Sequence, residues 1–294
     1  MIHLVDASIY VFRAWFSIPE EMTDPEGQPV NAAYGYARFL GDLLEHERPA
    51  RLAAAFDESL TTSFRNRIYP DYKANRESSP PELKRQFAIC RELTELLGVA
   101  QFAHPEYEAD DIIGTLCEHM RQKNICSVII SRDKDLAQLL RAGDEFWNTI
   151  DGYRHAYNDV ATKFGAQPER MADYQALVGD KVDNISGVPG VGAKTAGALM
   201  QAFCSLEEIF ERIEEVAQLP IRGASSLASK LETHKDAAFL ARRLTRLKTD
   251  MPLEYEDSEL QPSPPKLEEL FDLYDRLGFG DGPRWQAKRI AGVA

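Results

Sequence analysis

The chain has 294 residues, 44% apolar and 28% charged, a balance ordinary for a globular protein with room for one large or two modest domains. No apolar run approaches the ~20 residues of a membrane span, and Asp6 and Arg13 interrupt any signal-peptide core, so no membrane partner is expected. A net charge of −13 weighs against a nucleic-acid partner until its distribution is read. Seven Lys and Arg against three acids between Thr61 and Arg91, and seven against two between Arg222 and Lys248, leave local basic surface of the kind that neutralises phosphates.

In chain order, Ile2 to Val5 reads as a buried strand ending at Asp6. Tyr10, Phe12, Trp15 and Phe16 read as core. Asn31 to Arg48 carries apolar residues at helical spacing, and Arg51 to Phe56 is a second strand ending at Asp57. Pro80-Pro81 opens a helix, Leu83 to Leu97, which Gly98 stops. A third strand at Val99 to Phe102, a helix at Glu108 to Gln122 and a strand at Ser127 to Ser131 follow, the last running toward Asp133. Asp151-Gly152 lies between two short strands as a hairpin turn. This alternation predicts an α/β fold with a doubly wound, mainly parallel sheet.

From about Gly165 the pattern turns helical: Pro168 to Val178, Ala193 to Ala202, Leu206 to Glu214, Ser225 to Leu231 and Lys235 to Leu247. The stretch from Asp250 to Asp275 then has nine acids against one lysine, interrupted at Pro262, Pro264 and Pro265, which reads as an acidic tail with a short helix at Leu267 to Leu277 and loose final residues. The expected domains are 1–164, 165–252 and 253–294. The four cysteines, Cys90, Cys117, Cys126 and Cys204, lack metal or redox spacing, so reduced thiols in the cytoplasm are expected.

In a parallel sheet ligands gather beyond the carboxyl ends of the strands, so Asp6, Asp57 and Asp133 should converge there. Glu108, Asp110 and Asp111 open a helix after another strand, and Asp135 follows Asp133 by two. Acids at helix starts favour the dipole, but that explains one or two per turn, not seven, with Asp180 and Asp183 besides. Such a cluster repels itself unless cations sit within it, and its all-oxygen donors suit Mg²⁺ or Mn²⁺ rather than zinc. None of the six histidines has ligand spacing. Directly after Asp180 and Asp183 comes Gly187-Val188-Pro189-Gly190-Val191-Gly192 and a helix start. Backbone amides there form a seat for phosphate, and no strand precedes it as a dinucleotide fingerprint requires.

Taken together, Leu4-Val5-Asp6, Ala55-Phe56-Asp57, Tyr72-Lys73-Ala74-Asn75-Arg76, Glu108-Ala109-Asp110-Asp111, Asp133-Lys134-Asp135 and Gly179-Asp180 with Asp183-Asn184-Ile185 resemble the flap endonuclease and 5′-3′ exonuclease family. The likeness runs from Ile2 to about Pro252 and is nearest to the 5′-nuclease domain of bacterial DNA polymerase I and its stand-alone relatives. It implies a flap-nuclease (PIN-like) sheet with a helical arch, here about 62–95, and a helix-hairpin-helix region. It also implies two Mg²⁺ sites, with Mn²⁺ as a substitute: Asp6, Asp57, Glu108, Asp110 and Asp111 in one, and Asp133, Asp135, Asp180 and Asp183 in the other. Lys73 and Arg76 would assist the scissile phosphate. Arg65, Tyr72, Lys73, Arg76, Gly187, Val188, Gly190, Val191, Gly192, Lys194 and Thr195 would touch DNA, with K⁺ at the hairpin. The implied substrate is DNA with a 5′ flap, a nick or a 5′ end beside duplex, cut by a monomer that works with a replication or repair polymerase.

Three positions depart from the family pattern: Ala7 and Arg132 stand where glycine is usual, and Ser186 where proline is usual. None removes a candidate ligand. A related RNA nuclease or phosphatase would have no need of a duplex clamp, and a purely DNA-binding module would gain nothing from nine carboxylates that repel phosphate.

Overall fold

The computed structural model describes residues 1–58, 62–150, 152–221 and 223–293. Thr61 and Arg222 of the basic stretches, and Asp151 of the expected hairpin turn, lie outside the described residues. β1 (Ile2–Asp6) runs straight into α1 (Ala7–Ser17), and α2 (Asn31–Glu47) leads to β2 (Leu52–Asp57). A short α3 (Phe64–Ile68) and the longer α4 (Pro81–Leu96) precede β3 (Ala100–His104), α5 (Ala109–Gln122) and β4 (Ser127–Ile130). Next come β5 (Glu145–Asn148), β6 (Tyr153–Ala156), α6 (Val160–Phe164) and α7 (Met171–Val178). β7 (Gly179–Asp180) and β8 (Ile185–Ser186) frame a tight loop, followed by α8 (Ala193–Ala202), α9 (Leu206–Glu211) and α10 (Ile213–Val216). α11 (Ala224–Thr233), α12 (Lys235–Thr245), α13 (Leu267–Arg276) and α14 (Asp281–Ala291) complete the series. Among the described residues no helix is long and apolar enough to cross a membrane.

The chain divides into two compact units, whose bounds differ from those of the expected domains. The first comprises Met1–Glu58, Ser78–Arg132 and Thr249–Ala294, the second Ser59–Glu77 and Asp133–Lys248. Residues 133–164, expected with the α/β part, pack in the same compact unit as the helical region. The expected arch splits as well. Residues up to Glu77 go with the second unit, whereas α4 buries Leu83, Ile89 and Leu93 in the first, where it packs on α2. Residues 253–294, expected as an acidic tail with a short helix and loose final residues, pack within the first unit. Leu270, Leu273, Tyr274 and Phe279 are buried, α14 lies on α2, and Leu52 N donates to the Leu260 carbonyl at 2.8 Å. Ser263 N likewise donates to the Gly98 carbonyl at 2.9 Å, and a Cβ on Gly98 would come within 2.0 Å of the Ser263 carbonyl oxygen.

In the first unit the sheet is wholly parallel, in the order β3-β2-β1-β4. β1 is buried along its whole length, as expected of a central strand covered on both faces. α5 runs along all four strands through Ile112, Ile113, Leu116 and Met120, while α1, α2 and α4 pack on one another. β1 pairs Asp6 with Ala55, and β2 pairs Asp57 with His104, so both acids lie at the carboxyl edge. The α1 helix explains why the aromatic cluster divides. Tyr10 is buried and stacks on Phe39, whereas Phe16 is 81% exposed, contrary to its expected core position.

In the second unit α7 packs on α12 and α8. Arg65 of α3 is among its most buried side chains: its Nε donates to the Leu244 carbonyl at 2.7 Å and its Nη2 to the Arg246 carbonyl at 3.3 Å. These carbonyls stand at the C-terminal end of α12, where intrahelical donors run out. Arg65 is thus a buried anchor and not the expected phosphate contact. Arg65→Met is expected to destabilise the protein by about 2–4 kcal/mol while leaving the salt dependence of DNA binding unchanged. Chemical denaturation and a salt titration of binding check this. A flattened salt slope with wild-type stability would restore Arg65 to the phosphate-binding surface.

Candidate metal centre and nucleic-acid interface

The first acidic group is assembled by short hydrogen bonds within the first unit. Asp6 ends β1, accepts from Ile9 N at 3.3 Å as the cap of α1, and accepts from Ser131 Oγ at 2.8 Å. Asp57 ends β2; its Oδ1 accepts from Ala109 N at 2.9 Å, and its own N donates to Ser8 Oγ at 2.8 Å. Asp57 is therefore tied both to the helix that Asp6 caps and to the start of α5. There Glu108 is the cap residue and Asp110 and Asp111 form the first turn. Asp111 is fully buried and accepts from Glu108 N at 3.2 Å in a reciprocal capping box. Through this bond Asp111 holds the turn that presents Glu108.

The second group lies within the second unit. Asp133 accepts from Asp135 N at 2.9 Å at the start of a 3-10 turn, Lys134–Leu139. β7 and β8 form a small antiparallel pair, Gly179 with Ser186 and Asp180 with Ile185, which closes the loop bearing Asp180 and Asp183. Gly179 makes this possible with φ +79°, and a Cβ on Gly187 would lie 2.4 Å from Gly179 N. Gly187 is accordingly a packing glycine inside the hairpin. Asp180 Oδ1 accepts from Val182 N at 2.7 Å and Asp183 N at 3.3 Å. Asp183 accepts from Tyr72 OH at 3.2 Å and from Arg76 Nη2, with Lys73 Nζ 3.9 Å away. Tyr72 is 3% exposed, so its expected DNA contact gives way to a bond with a candidate ligand.

Desolvation pushes the carboxyls of Asp133 and Asp135 above their usual range, and the neighbouring Asp180 and Asp183 push the same way. Lys73 partly offsets this at Asp133, and Lys134 at Asp135. The Oδ1 atom of Asp135 is buried and has no hydrogen-bond partner. Several partly desolvated carboxylates, one with an orphaned oxygen, form an all-oxygen donor set that fits a hard divalent cation. Among the described residues a tighter trio exists elsewhere, at Asp42, Glu45 and His46, whose ligand atoms lie within 4.8 Å of one another. Sequence reading passed over it. Its acids already serve the α2–α14 junction. Gln286 Nε2 donates to Asp42 at 2.7 Å, and Arg289 Nε donates to Glu45 at 2.5 Å, holding the Glu45 carboxyl down to about 2. It is a charge-paired helix contact.

The glycine hairpin is in the second unit too. Val188 N donates to the Leu177 carbonyl at 2.9 Å and Val191 N to the Val188 carbonyl at 3.0 Å, and both side chains are buried. Val188 and Val191 therefore hold the hairpin from inside, and their amides are not the ones that could meet a phosphate. Gly190 has φ +81° and is exposed, and the Nζ of Lys230, a residue not singled out in the sequence, lies 3.2 Å from where its Cβ would be. Gly192 precedes α8, has φ −100°, and has nothing within 4 Å of its Cβ position. No side chain caps α8, and Lys194 is exposed beside Thr195 in its first turn.

Residues 1–165 match the profile of the 5′-3′ exonuclease N-terminal, resolvase-like domain, and residues 166–268 that of the 5′-3′ exonuclease C-terminal SAM fold. The chain belongs to the 5′-3′ exonuclease family. It is 36% identical over 269 residues to a 5′-3′ exonuclease of Aquifex aeolicus, covering 92% of this chain and 89% of that one. It is 40% identical over 277 residues to DNA polymerase I of Pseudomonas aeruginosa, covering 94% of this chain but 30% of that protein. The chain thus spans about a third of the length of the polymerase I relatives. A T5 5′-exonuclease structure with bound divalent metal ions (zinc) has a TM-score of 0.68 at 20% identity, covering 99% of this chain and 98% of that one. The catalytic core of Rad2 in complex with DNA has a TM-score of 0.57 at 17% identity, covering 98% of this chain and 89% of that one. At those identities the likeness is one of fold.

Proposed function

We propose that this family member is a metal-dependent 5′ nuclease that hydrolyses DNA phosphodiesters at a 5′ flap, a nick or a 5′ end beside duplex. The observation that carries this reading is the Asp133, Asp135, Asp180 and Asp183 group, in which burial and the neighbouring carboxylates push up the carboxyls of Asp133 and Asp135, and one buried oxygen of Asp135 has no hydrogen-bond partner. Two Mg²⁺ sites are proposed, with Mn²⁺ as a substitute: one on Asp6, Asp57, Glu108, Asp110 and Asp111, the other on Asp133, Asp135, Asp180 and Asp183. Cations held there would supply Lewis-acid neutralisation of the phosphate and a more acidic water. The chain's own groups orient the substrate. Lys73 and Arg76 bear on the reacting phosphate from beside Asp183. Gly190, Gly192, Lys194 and Thr195 meet the duplex backbone, with K⁺ at the hairpin. Lys230 adds a cation over Gly190.

The expected products are a 5′-phosphate and a 3′-hydroxyl, in primer or flap removal alongside a replication or repair polymerase. We take the protein to act as a monomer in the cytoplasm, where thiols such as Cys90 and Cys117 stay reduced. Cleavage of flap duplexes labelled at the 5′ or the 3′ end, with Mg²⁺ and then Mn²⁺, tests the proposal. Products ending in 5′-phosphate are expected; no hydrolysis with either cation, or products ending in 3′-phosphate, would overturn it.

A further inference from the structure

Two asparagines join the segment bearing Lys73 and Arg76 to the loop bearing Asp180 and Asp183. Asn75 Nδ2 donates to the Lys181 carbonyl at 2.9 Å, and Asn184 Nδ2 donates to the Asp71 carbonyl at 2.7 Å. The bonds are reciprocal: each partner reaches across with a side-chain amide and receives one on its backbone. Between them Lys73 N donates to the Asp183 carbonyl at 3.0 Å. Residues 69–76 coil tightly behind this contact, with Tyr72 N, Ala74 N and Arg76 N each donating to the carbonyl three residues back. Lys73 and Asn184 both have left-handed backbones, φ +56° and +57°. Asparagine tolerates that conformation better than most residues, whereas lysine adopts it only where surrounding structure imposes it.

We propose that Asn75 and Asn184 are positioning residues that clasp the basic segment to the acidic loop and hold Lys73 and Arg76 in register with the second acidic group. This rests on the nuclease reading above. The charge pairs of Arg76 and Lys73 with Asp183 cannot fix that register by themselves. A cation competes with them for the carboxylate, and a phosphate competes for the guanidinium and ammonium. An amide-to-carbonyl bond carries no net charge and attracts neither competitor. The clasp therefore keeps its geometry while the charged groups change partners, and the strained Lys73 backbone is maintained from both sides.

The test uses Asn184→Gly, which keeps the left-handed backbone and removes only the amide, combined with Asn75→Ala. In the double variant, single-turnover cleavage of a 5′-flap duplex with Mg²⁺ is expected to fall ~10-fold, as two ordinary hydrogen bonds and a displaced segment would produce. Affinity for the same duplex in Ca²⁺ should hold within ~2-fold, because the hairpin is untouched. Trypsin should nick the metal-free protein after Lys73 and Arg76 about 5-fold faster than wild type, since local opening exposes those bonds. Wild-type cleavage and wild-type nicking in the double variant would overturn the clasp, as would a loss of affinity equal to the loss of rate. If the wild-type protein cleaved no flap at all, the nuclease reading would fall while the trypsin comparison still decided the clasp.

Discussion

Asp180→Asn is expected to lower turnover on a flap substrate by at least ~100-fold with little change in stability. The asparagine keeps an oxygen that accepts from Val182 N and Asp183 N, so the tight loop between β7 and β8 survives. What it removes is one negative charge from a group in which Asp180 pushes up the carboxyls of both Asp133 and Asp135. Without a cation that removal relieves repulsion, and the folded protein should be no less stable. With Mg²⁺ it weakens the charge that holds the cation. Turnover should then recover in part at raised Mn²⁺, whereas a damaged loop would not. Steady-state cleavage across a Mg²⁺ series, beside a melting curve, distinguishes the two. Near-wild-type turnover at ordinary Mg²⁺ would remove Asp180 from the metal centre.

The sheet and its acidic edge were legible because they depend on local patterns and one topological rule. Apolar runs ending in Asp6 and Asp57 become parallel strands, and parallel strands bring their carboxyl ends to one edge. What escaped was set by partners distant in sequence. Nothing near Arg65 separates it from a surface arginine, since the carbonyl it bonds, Leu244, is 179 residues away. Tyr72 meets Asp183 across a separation of 111 residues. Other misses left local signals. Phe16 is six positions beyond Tyr10 on α1, well off the face that buries Tyr10, Val11 and Ala14. Leu270, Leu273, Tyr274 and Leu277 recur at three- and four-residue steps, an amphipathic stripe that the surrounding acids masked. Asp111 carries a local helix-start signal as well: its carboxylate completes a capping box.

Binding and chemistry should separate cleanly between the glycine hairpin and the acidic loop before it. Gly190→Val places a β-branched side chain at φ +81°, a region hostile to it, and should deform the turn and cut duplex affinity in Ca²⁺. Deformation alone could explain that loss, so Gly192→Ala is the sharper probe. At φ −100° with open space around its Cβ position, Gly192 has no internal need to be glycine. Gly192→Ala should therefore melt like wild type, and any loss of affinity reports a phosphate backbone that comes close from outside. We expect ~10-fold weaker binding of flap and nicked duplexes for Gly192→Ala, more for Gly190→Val, and residual cleavage by both at saturating enzyme. Asp183→Asn should show the reverse. Its oxygen can still accept from Tyr72 or Arg76, so the loop is kept, yet cleavage should nearly vanish. Duplex binding should hold or tighten as a negative charge leaves the surface that meets phosphate. Equilibrium binding and single-turnover cleavage on one flap substrate measure all three variants. If both glycine variants bound duplex normally, the hairpin would not be the clamp, whatever became of the metal centre.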